Sequence, residues 1–288
     1  MRNLLIFIFY SLALILIGRQ LVFLPIITPI HTKEVVDAET LKQDTVELLA
    51  SQKGKQQYSV YYEDLTTGDY FGIQENTILT AASLNKLGII GYLYSVASKN
   101  EINLEDKIVI QKEDVQDYGT GSLRYATPGG TYTLKYLAQL ALQQSDNTAA
   151  HVLELRLEEK NVQFYVTTLG MGATSMVNNE TSARDMGIFL RSLYKKRITN
   201  PSLTQEILGY MTDTDFEDRL SRYLPKTYKT HHKTGDAVGL IHDAGIIDDG
   251  VSPFILVVMG SNIEDENLAK DTIGKIAKLI SDKRSEDK

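Results

Sequence analysis

Residues 83–97 read Ser-Leu-Asn-Lys-Leu-Gly-Ile-Ile-Gly-Tyr-Leu-Tyr-Ser-Val-Ala and place a serine and a lysine at the start of an apolar segment. The apolar run from Leu84 to Ala97 predicts a buried helix. Ser83 and Lys86 are three positions apart, so their side chains share one face of that helix. A buried lysine amine can lose its proton near neutral pH and then deprotonate a nearby serine hydroxyl. The segment therefore predicts a nucleophile together with its base.

Two further motifs follow in order, Ser-Asp-Asn at 145–147 and Lys-Thr-Gly at 233–235. Each motif alone has an ordinary explanation, because serine, aspartate and asparagine are common helix caps and a surface lysine needs no special role. The Ser-x-x-Lys pattern also recurs at 192–195 and 285–288. The order and the spacing carry the inference: Ser145 follows Ser83 by 62 residues, and Lys233 follows Ser83 by 150.

Together the three motifs resemble those of the penicillin-recognising serine enzymes, and of class A β-lactamases in particular. The resemblance covers residues 44–284. It implies an α+β fold in which an antiparallel sheet flanked by helices lies beside an all-helical lobe, with the active site between them. The predicted elements agree with this fold, since strands at 58–73 and 230–261 enclose a helical middle and a last helix follows at 268–280.

The resemblance assigns catalytic roles to four side chains. Ser83 attacks the carbonyl carbon, Lys86 accepts its proton, and Ser145 relays a proton to the leaving nitrogen. Lys233 is the fourth catalytic residue, and its ammonium group contacts the substrate carboxylate. The helix N-terminus at Ser83 adds a favourable field for developing negative charge.

The resemblance also implies a set of substrate-binding residues. The amide of Asn147 hydrogen-bonds the substrate, and Asp146 holds its loop in place. The backbone N–H groups of Ser83 and Asp236 form the oxyanion hole. His242 stands where many class A enzymes hold the carboxylate with an arginine, although it is equally well explained as an ordinary strand histidine. The substrate-binding set is Asn147, Thr234, Gly235, Asp236 and His242, with Gly235 letting the substrate lie close to its strand.

The chain departs from class A β-lactamases in the loop that supplies their deacylating glutamate. That loop reads roughly Glu-x-x-Leu-Asn, and residues 170–185 contain no such pattern. The residues missing from this loop explain why Ser83 and Lys233 are closer in sequence than in a class A β-lactamase. Glu180 remains a candidate deacylation base, and its other interpretation is an acidic residue that favours the next helix N-terminus.

Composition narrows the function classes. The net charge of −7 argues against a nucleic-acid partner, and the absence of cysteine excludes disulfides and thiol catalysis. His231, His232 and His242 complete no metal-ligand pattern, because neighbouring residues on a strand face opposite sides. We therefore expect no metal, no cofactor and a monomeric enzyme.

The first residues predict export. Leu4 to Ile17 is apolar, Arg19 interrupts, and apolar character resumes to Ile27 without a small-residue cleavage site. We interpret residues 1–27 as an uncleaved membrane anchor, residues 28–43 as a linker and residues 44–284 as the enzyme domain outside the cell membrane. The alternative is a cleaved signal peptide and a secreted domain.

These observations predict an exported serine acyl-transfer hydrolase that forms a Ser83 acyl-enzyme with a β-lactam and hydrolyses it slowly. A D,D-peptidase-like enzyme acting on peptidoglycan stem peptides is the first alternative, because both substrates present an amide near a carboxylate. A non-catalytic module that binds penicillin or peptidoglycan is the second. The intact serine and lysine pair weighs against it, since binding alone does not require a nucleophile.

Overall fold

The computed structural model describes residues 36–52 and 54–286, and its central element is a five-stranded antiparallel sheet. The strands of this sheet are β1 (Gln57–Asp64), β2 (Tyr70–Ile73), β7 (Lys229–Ala237), β8 (Leu240–Asp248) and β9 (Phe254–Ser261). Their order is β2-β1-β9-β8-β7, so the hairpin of the first two strands joins the last three through the pairing of β1 with β9. Strands from both ends of the domain meet in one sheet, which confirms the predicted α+β fold.

Eight helices and four short strands complete the described chain. The helices are α1 (Ala38–Ala50), α2 (Lys86–Ser98), α3 (Leu134–Gln143), α4 (Asn147–Leu157), α5 (Glu159–Thr168), α6 (Ala183–Tyr194), α7 (Pro201–Tyr210) and α8 (Glu266–Glu286). The short strands are β3 (Leu79–Thr80), β4 (Lys107–Val109), β5 (Thr131–Thr133) and β6 (Glu180–Thr181), and they pair as β3 with β6 and β4 with β5.

Alternation along the central strands divides the core into two layers. On β9, Ile255 and Val257 pack into the core shared with the helical lobe, whereas Leu256 and Val258 pack under α1 and α8 on the other face. A strand directs successive side chains to opposite faces, so a strand covered on both sides is apolar throughout. The same alternation on β1 sends Tyr61 to the lobe and Val60 to the opposite layer.

Helix α1 belongs to the domain rather than to a linker. Its Leu41 is fully buried, and Lys283 of α8 forms an ion pair with Asp44 at 2.9 Å. The fold therefore begins at or before residue 38, earlier than the predicted boundary at residue 44.

Residues 1–27, interpreted from the sequence as an anchor, lie outside the described residues. Within the part that the structure describes, no helix is both long enough and apolar enough to cross a membrane.

Candidate active site

Ser83 lies in a 3₁₀ turn, Ala82–Asn85, that leads directly into α2. Ala82 has a φ of 49°, a left-handed conformation that costs energy for a residue with a side chain. Edge strand β7 approaches this turn closely: a Cβ atom on Gly235 would lie 3.0 Å from the carbonyl oxygen of Ala81. Gly235 is therefore needed for contact between strand and turn, a role different from the substrate contact expected from the sequence.

Lys86 lies in the centre of the site. Its Nζ atom is 2.8 Å from Ser83 Oγ, 2.7 Å from the carbonyl oxygen of Ser145 and 2.7 Å from Asn147 Oδ1. Burial lowers the pKa of the Lys86 ammonium to about 7, although the nearby carboxylate of Asp146 opposes the shift. A neutral amine has two N–H bonds, which the Ser145 and Asn147 oxygens accept, so its lone pair is left for the Ser83 proton.

Ser145 connects two lysines. Its Oγ atom is 2.8 Å from Lys233 Nζ and 3.2 Å from Lys86 Nζ. Burial holds the pKa of Lys233 well below its usual value, and the positive charge of Lys86 lowers it further. Ser145 has a φ of 55°, and this strained conformation directs both its carbonyl and its hydroxyl towards Lys86. The hydroxyl is thus placed to pass a proton between the amines and a leaving group.

Asp146 fixes the loop as the sequence suggested. It is fully buried, and its two carboxylate oxygens accept hydrogen bonds from the backbone N–H groups of Ala149 and Leu123. The first bond caps α4, and the second ties that helix to loop 117–124. In that loop Tyr118, which the sequence reasoning missed, is exposed and accepts a hydrogen bond from Asn147 Nδ2 through its carbonyl oxygen.

An open cavity of about 670 Å³ lies in front of these groups. Its walls come from the Ser83 turn, loop 117–124, α4 and the end of β7, and its far end is formed by His151 and Glu154 of α4. Six of the predicted site residues line it together: Ser83, Lys86, Ser145, Asn147, Thr234 and Asp236. Lys233 lies behind the wall and reaches the site through its bond to Ser145.

His242 does not line this cavity. It is fully buried, and its Nε2 atom is 3.0 Å from the carbonyl oxygen of Thr80, which precedes the Ser83 turn. Burial lowers the pKa of His242, so the neutral ring donates its Nε2 proton to Thr80. The structure thus gives no support to His242 as a carboxylate ligand and places it as a support behind the nucleophile.

Arg219, which sequence reasoning missed, contacts Asp236 on the cavity wall. It is fully buried, and its guanidinium forms a bidentate ion pair with Asp236 and a hydrogen bond to the carbonyl oxygen of His242. No motif surrounds it, although its loop leads directly into β7. Its role becomes apparent only in the folded structure, where Arg219 is a buried cation paired with Asp236, the residue after the Lys-Thr-Gly motif.

Glu180 lies on the short strand β6, which pairs with β3 just before the Ser83 turn. Its Oε2 atom is 3.5 Å from Asn178 Nδ2, and it is not among the residues that line the cavity. The neighbouring Asn179 lines the cavity instead, and its amide oxygen is buried without a partner in the described structure. The base role of Glu180 stays a prediction that this placement does not favour.

The three histidines considered for a metal site have separate partners. His231 contacts Thr212 and the carbonyl oxygen of Leu208, whereas His232 bridges the carboxylates of Asp243 and Glu217. Burial opposes protonation of His232, but these two carboxylates raise its pKa to about 9. His232 is therefore a buried cation that stabilises the segment before Arg219.

The profile of the β-lactamase enzyme family matches residues 40–283, which is most of the chain and includes every group described above. The chain belongs to this family. Among curated proteins, none has a sequence similar enough to match.

Several solved structures share the fold. PBP-A is 21% identical and superposes with a TM-score of 0.79, covering 85% of this chain and 96% of its own. A β-lactamase from Sphaerobacter thermophilus DSM 20745 is also 21% identical, with a TM-score of 0.78 over 87% of this chain and 98% of its own. An ancestral class A β-lactamase is 20% identical, with a TM-score of 0.77 over 84% of this chain and 99% of its own. At this level of identity the likeness shows the fold alone.

Proposed function

We propose that this chain is an exported serine acyl-transfer hydrolase that forms an acyl-enzyme at Ser83 with a β-lactam and releases it slowly. The observation that carries the proposal is the contact of 2.8 Å between Lys86 Nζ and Ser83 Oγ, made by a lysine whose pKa burial lowers to about 7. A general base must lie within hydrogen-bond reach of the proton that it removes and have a pKa near the working pH. Lys86 meets both conditions.

The acylation step uses the groups in sequence. Lys86 takes the Ser83 proton as Oγ bonds to the lactam carbonyl carbon, and the backbone N–H groups of Ser83 and Asp236 stabilise the oxyanion. The carbonyl-to-nitrogen bond then breaks, and the nitrogen receives a proton through Ser145, which contacts both lysines. The product is an ester on Ser83, with the proton that left Ser83 returned to the leaving nitrogen.

The positions of the carboxylates around the cavity support slow release of the acyl group from Ser83. Glu180 does not line it, and Glu154 lies seven residues beyond Asn147, about 10 Å along α4. Asp236 is held by Arg219. A water molecule at the ester therefore has no evident carboxylate base within reach, and the acyl-enzyme is expected to persist.

A stem-peptide amide is the second candidate substrate. The open cavity and the missing glutamate loop suit a D,D-peptidase-like enzyme, which passes its acyl group to an acceptor. PBP-A, which shares this fold, has been solved as an acyl-enzyme complex with penicillin G in its L158E mutant. We propose the same kind of covalent capture here, and we propose that export and membrane attachment depend on residues 1–27.

A fluorescent penicillin incubated with the purified domain and separated on a denaturing gel tests the proposal. The wild-type domain should carry the label, and Ser83→Ala should lose it while keeping its thermal unfolding midpoint. Ser192→Ala is the matched control, because it removes a serine from a second Ser-x-x-Lys match that lies outside the cavity. Wild-type labelling of the Ser83→Ala variant would refute the nucleophile assignment.

A further inference from the structure

The guanidinium of Arg219 is paired with a carboxylate of the chain itself, that of Asp236. Asp236 Oδ1 is 2.5 Å from Arg219 Nη1, and Asp236 Oδ2 is 2.6 Å from Arg219 Nη2. Bidentate pairs of this kind are among the strongest polar contacts in proteins. Arg219 is fully buried, so the guanidinium has exchanged water for this partner and for Asp218, whose Oδ1 atom is 3.1 Å from Nε.

Asp236 is also part of the cavity wall. Its side chain is 45% exposed, and it lies two residues after Thr234 on β7. Side chains two apart on a strand share a face, and both of these residues line the cavity. The Asp236 carboxylate therefore stands beside Thr234, on the wall where the Lys-Thr-Gly motif is expected to meet a substrate carboxylate.

A carboxylate on the substrate would find that the basic side chains at this wall already have partners. It would have to displace Asp236 from Arg219 or lie next to it, and like charges brought together oppose binding. His242 is buried behind the Ser83 turn, and burial lowers its pKa. Burial likewise lowers the pKa of Lys233, whose Nζ atom already contacts Ser145 Oγ and the Thr234 carbonyl.

We propose that Asp236 determines substrate specificity by filling the anion-binding position of the cleft, so that the preferred acyl donors carry an uncharged group beside the scissile bond. The chemical class is an amide or lactam whose neighbouring carboxyl group is a carboxamide or an ester. This inference rests on the proposed acylation of Ser83 and adds the kind of substrate that reaches it.

A matched pair of reagents tests the inference on the wild-type domain. Benzylpenicillin carries a free carboxylate, and its methyl ester differs only in lacking that charge. Intact-protein mass spectrometry gives the acylation rate constant for each reagent. We expect the ester to react at least as fast as the acid. An acid that reacts about 10-fold faster or more would overturn the inference, since that ratio is the effect of one favourable charge contact.

Two variants show which carboxylate is responsible. Asp236→Asn keeps the shape and one of the two acceptors for Arg219 but removes the charge on the cavity wall, and Asp218→Asn removes a charge that also contacts Arg219 but does not line the cavity. We expect Asp236→Asn to raise the rate of the acid relative to the ester by about 10-fold, and Asp218→Asn to leave that ratio unchanged.

The remaining outcomes are also decisive. Equal changes for both reagents in Asp236→Asn would overturn the specificity role. If that variant fails to fold, the wild-type ratio alone decides. Acylation of Ser83 with a strong preference for the acid would refute this inference and leave the proposed function intact. Labelling by neither reagent would refute the proposed function and this inference with it.

Discussion

At the scale of single residues, the environment of Lys86 decides what the site can do. A lysine in water is protonated at neutral pH and cannot serve as a base. Burial lowers the pKa of Lys86 to about 7, and its contacts with Ser145 and Asn147 aim the amine at Ser83. The chemistry therefore depends on how completely the surrounding elements exclude water from one side chain.

The acylation rate should follow the protonation of Lys86. The amine acts as a base only when neutral, so the rate should rise with pH and level off above about 7. Lys86→Ala should slow acylation by about 100-fold or more and remove this rise. Stopped-flow measurement with a fluorescent penicillin gives both results. A wild-type rate that is flat across that pKa would assign the base to another group.

The residue scale also shows where sequence reasoning ends. The pairing of Ser83 with Lys86 followed from helical spacing, and the sequence indicated that Asp146 holds its loop. Arg219 could not be found, because its importance depends on a contact with Asp236 from a segment that carries no motif. The resemblance assigned His242 to the substrate carboxylate, with an ordinary strand histidine as the alternative, but position in the sequence alone does not tell which side chain is buried against the segment before the Ser83 turn.

At the scale of elements, the start of α4 holds the site together. Asp146 caps this helix and binds loop 117–124, so one carboxylate fixes the positions of Ser145 and Asn147. The Ser-Asp-Asn motif pointed to this cap, because these residue types are common at helix starts. The helix expected after Glu180 begins at Ala183, since Thr181 in β6 still pairs with Leu79 in β3.

Removal of this cap should damage both stability and acylation. Asp146→Ala leaves two buried N–H groups without a partner and should cost about 2 kcal/mol of unfolding free energy. Asp37→Ala is the matched control, because Asp37 caps α1 through a bond to the Thr40 N–H at an exposed position. It should cost about 1 kcal/mol and leave the acylation rate unchanged.

Urea unfolding and the acylation rate measured on the same samples test this pair. Asp146 also raises the pKa of Lys86, so its removal should shift the acid limb of the rate profile to lower pH. Equal loss of acylation in both variants would mean that general destabilisation, rather than the geometry of α4, explains the effect.

At the scale of the whole molecule, the sheet joins the two ends of the domain around a helical insertion. This topology was predictable, because apolar strands near both ends of the domain must share a sheet. The absence of the glutamate loop, and of Glu180 from the cavity wall, was only partly predictable from the sequence. The missing loop was visible in the sequence, but the separation of Glu180 from the cavity depends on the pairing of β6 with β3.

Turnover should therefore be slow and independent of Glu180. A chromogenic cephalosporin should give a burst of about one equivalent followed by slow hydrolysis, since a lost general base costs about 100-fold to 10,000-fold in rate. Glu180→Gln should leave the slow phase unchanged, and so should Glu154→Gln at the far end of the cavity. A slow phase reduced about 10-fold by either change would identify that glutamate as a base.

The location of the chain tests the interpretation of its first residues. If residues 1–27 form an uncleaved anchor, the full-length chain should fractionate with membranes, and external protease should digest the domain. Mass spectrometry of the N-terminus distinguishes the alternative. A mature chain that begins near residue 30 would show a cleaved signal peptide instead.

The central claim is a long-lived ester on Ser83, and time-resolved mass spectrometry of the penicillin-treated domain measures it most directly. The account predicts one adduct per chain, mapped to the peptide that contains Ser83 and still present long after free penicillin is removed. Ser83→Ala should form no adduct although Lys86 and Ser145 remain. An adduct on another residue, or none on a folded wild-type domain, would contradict the account.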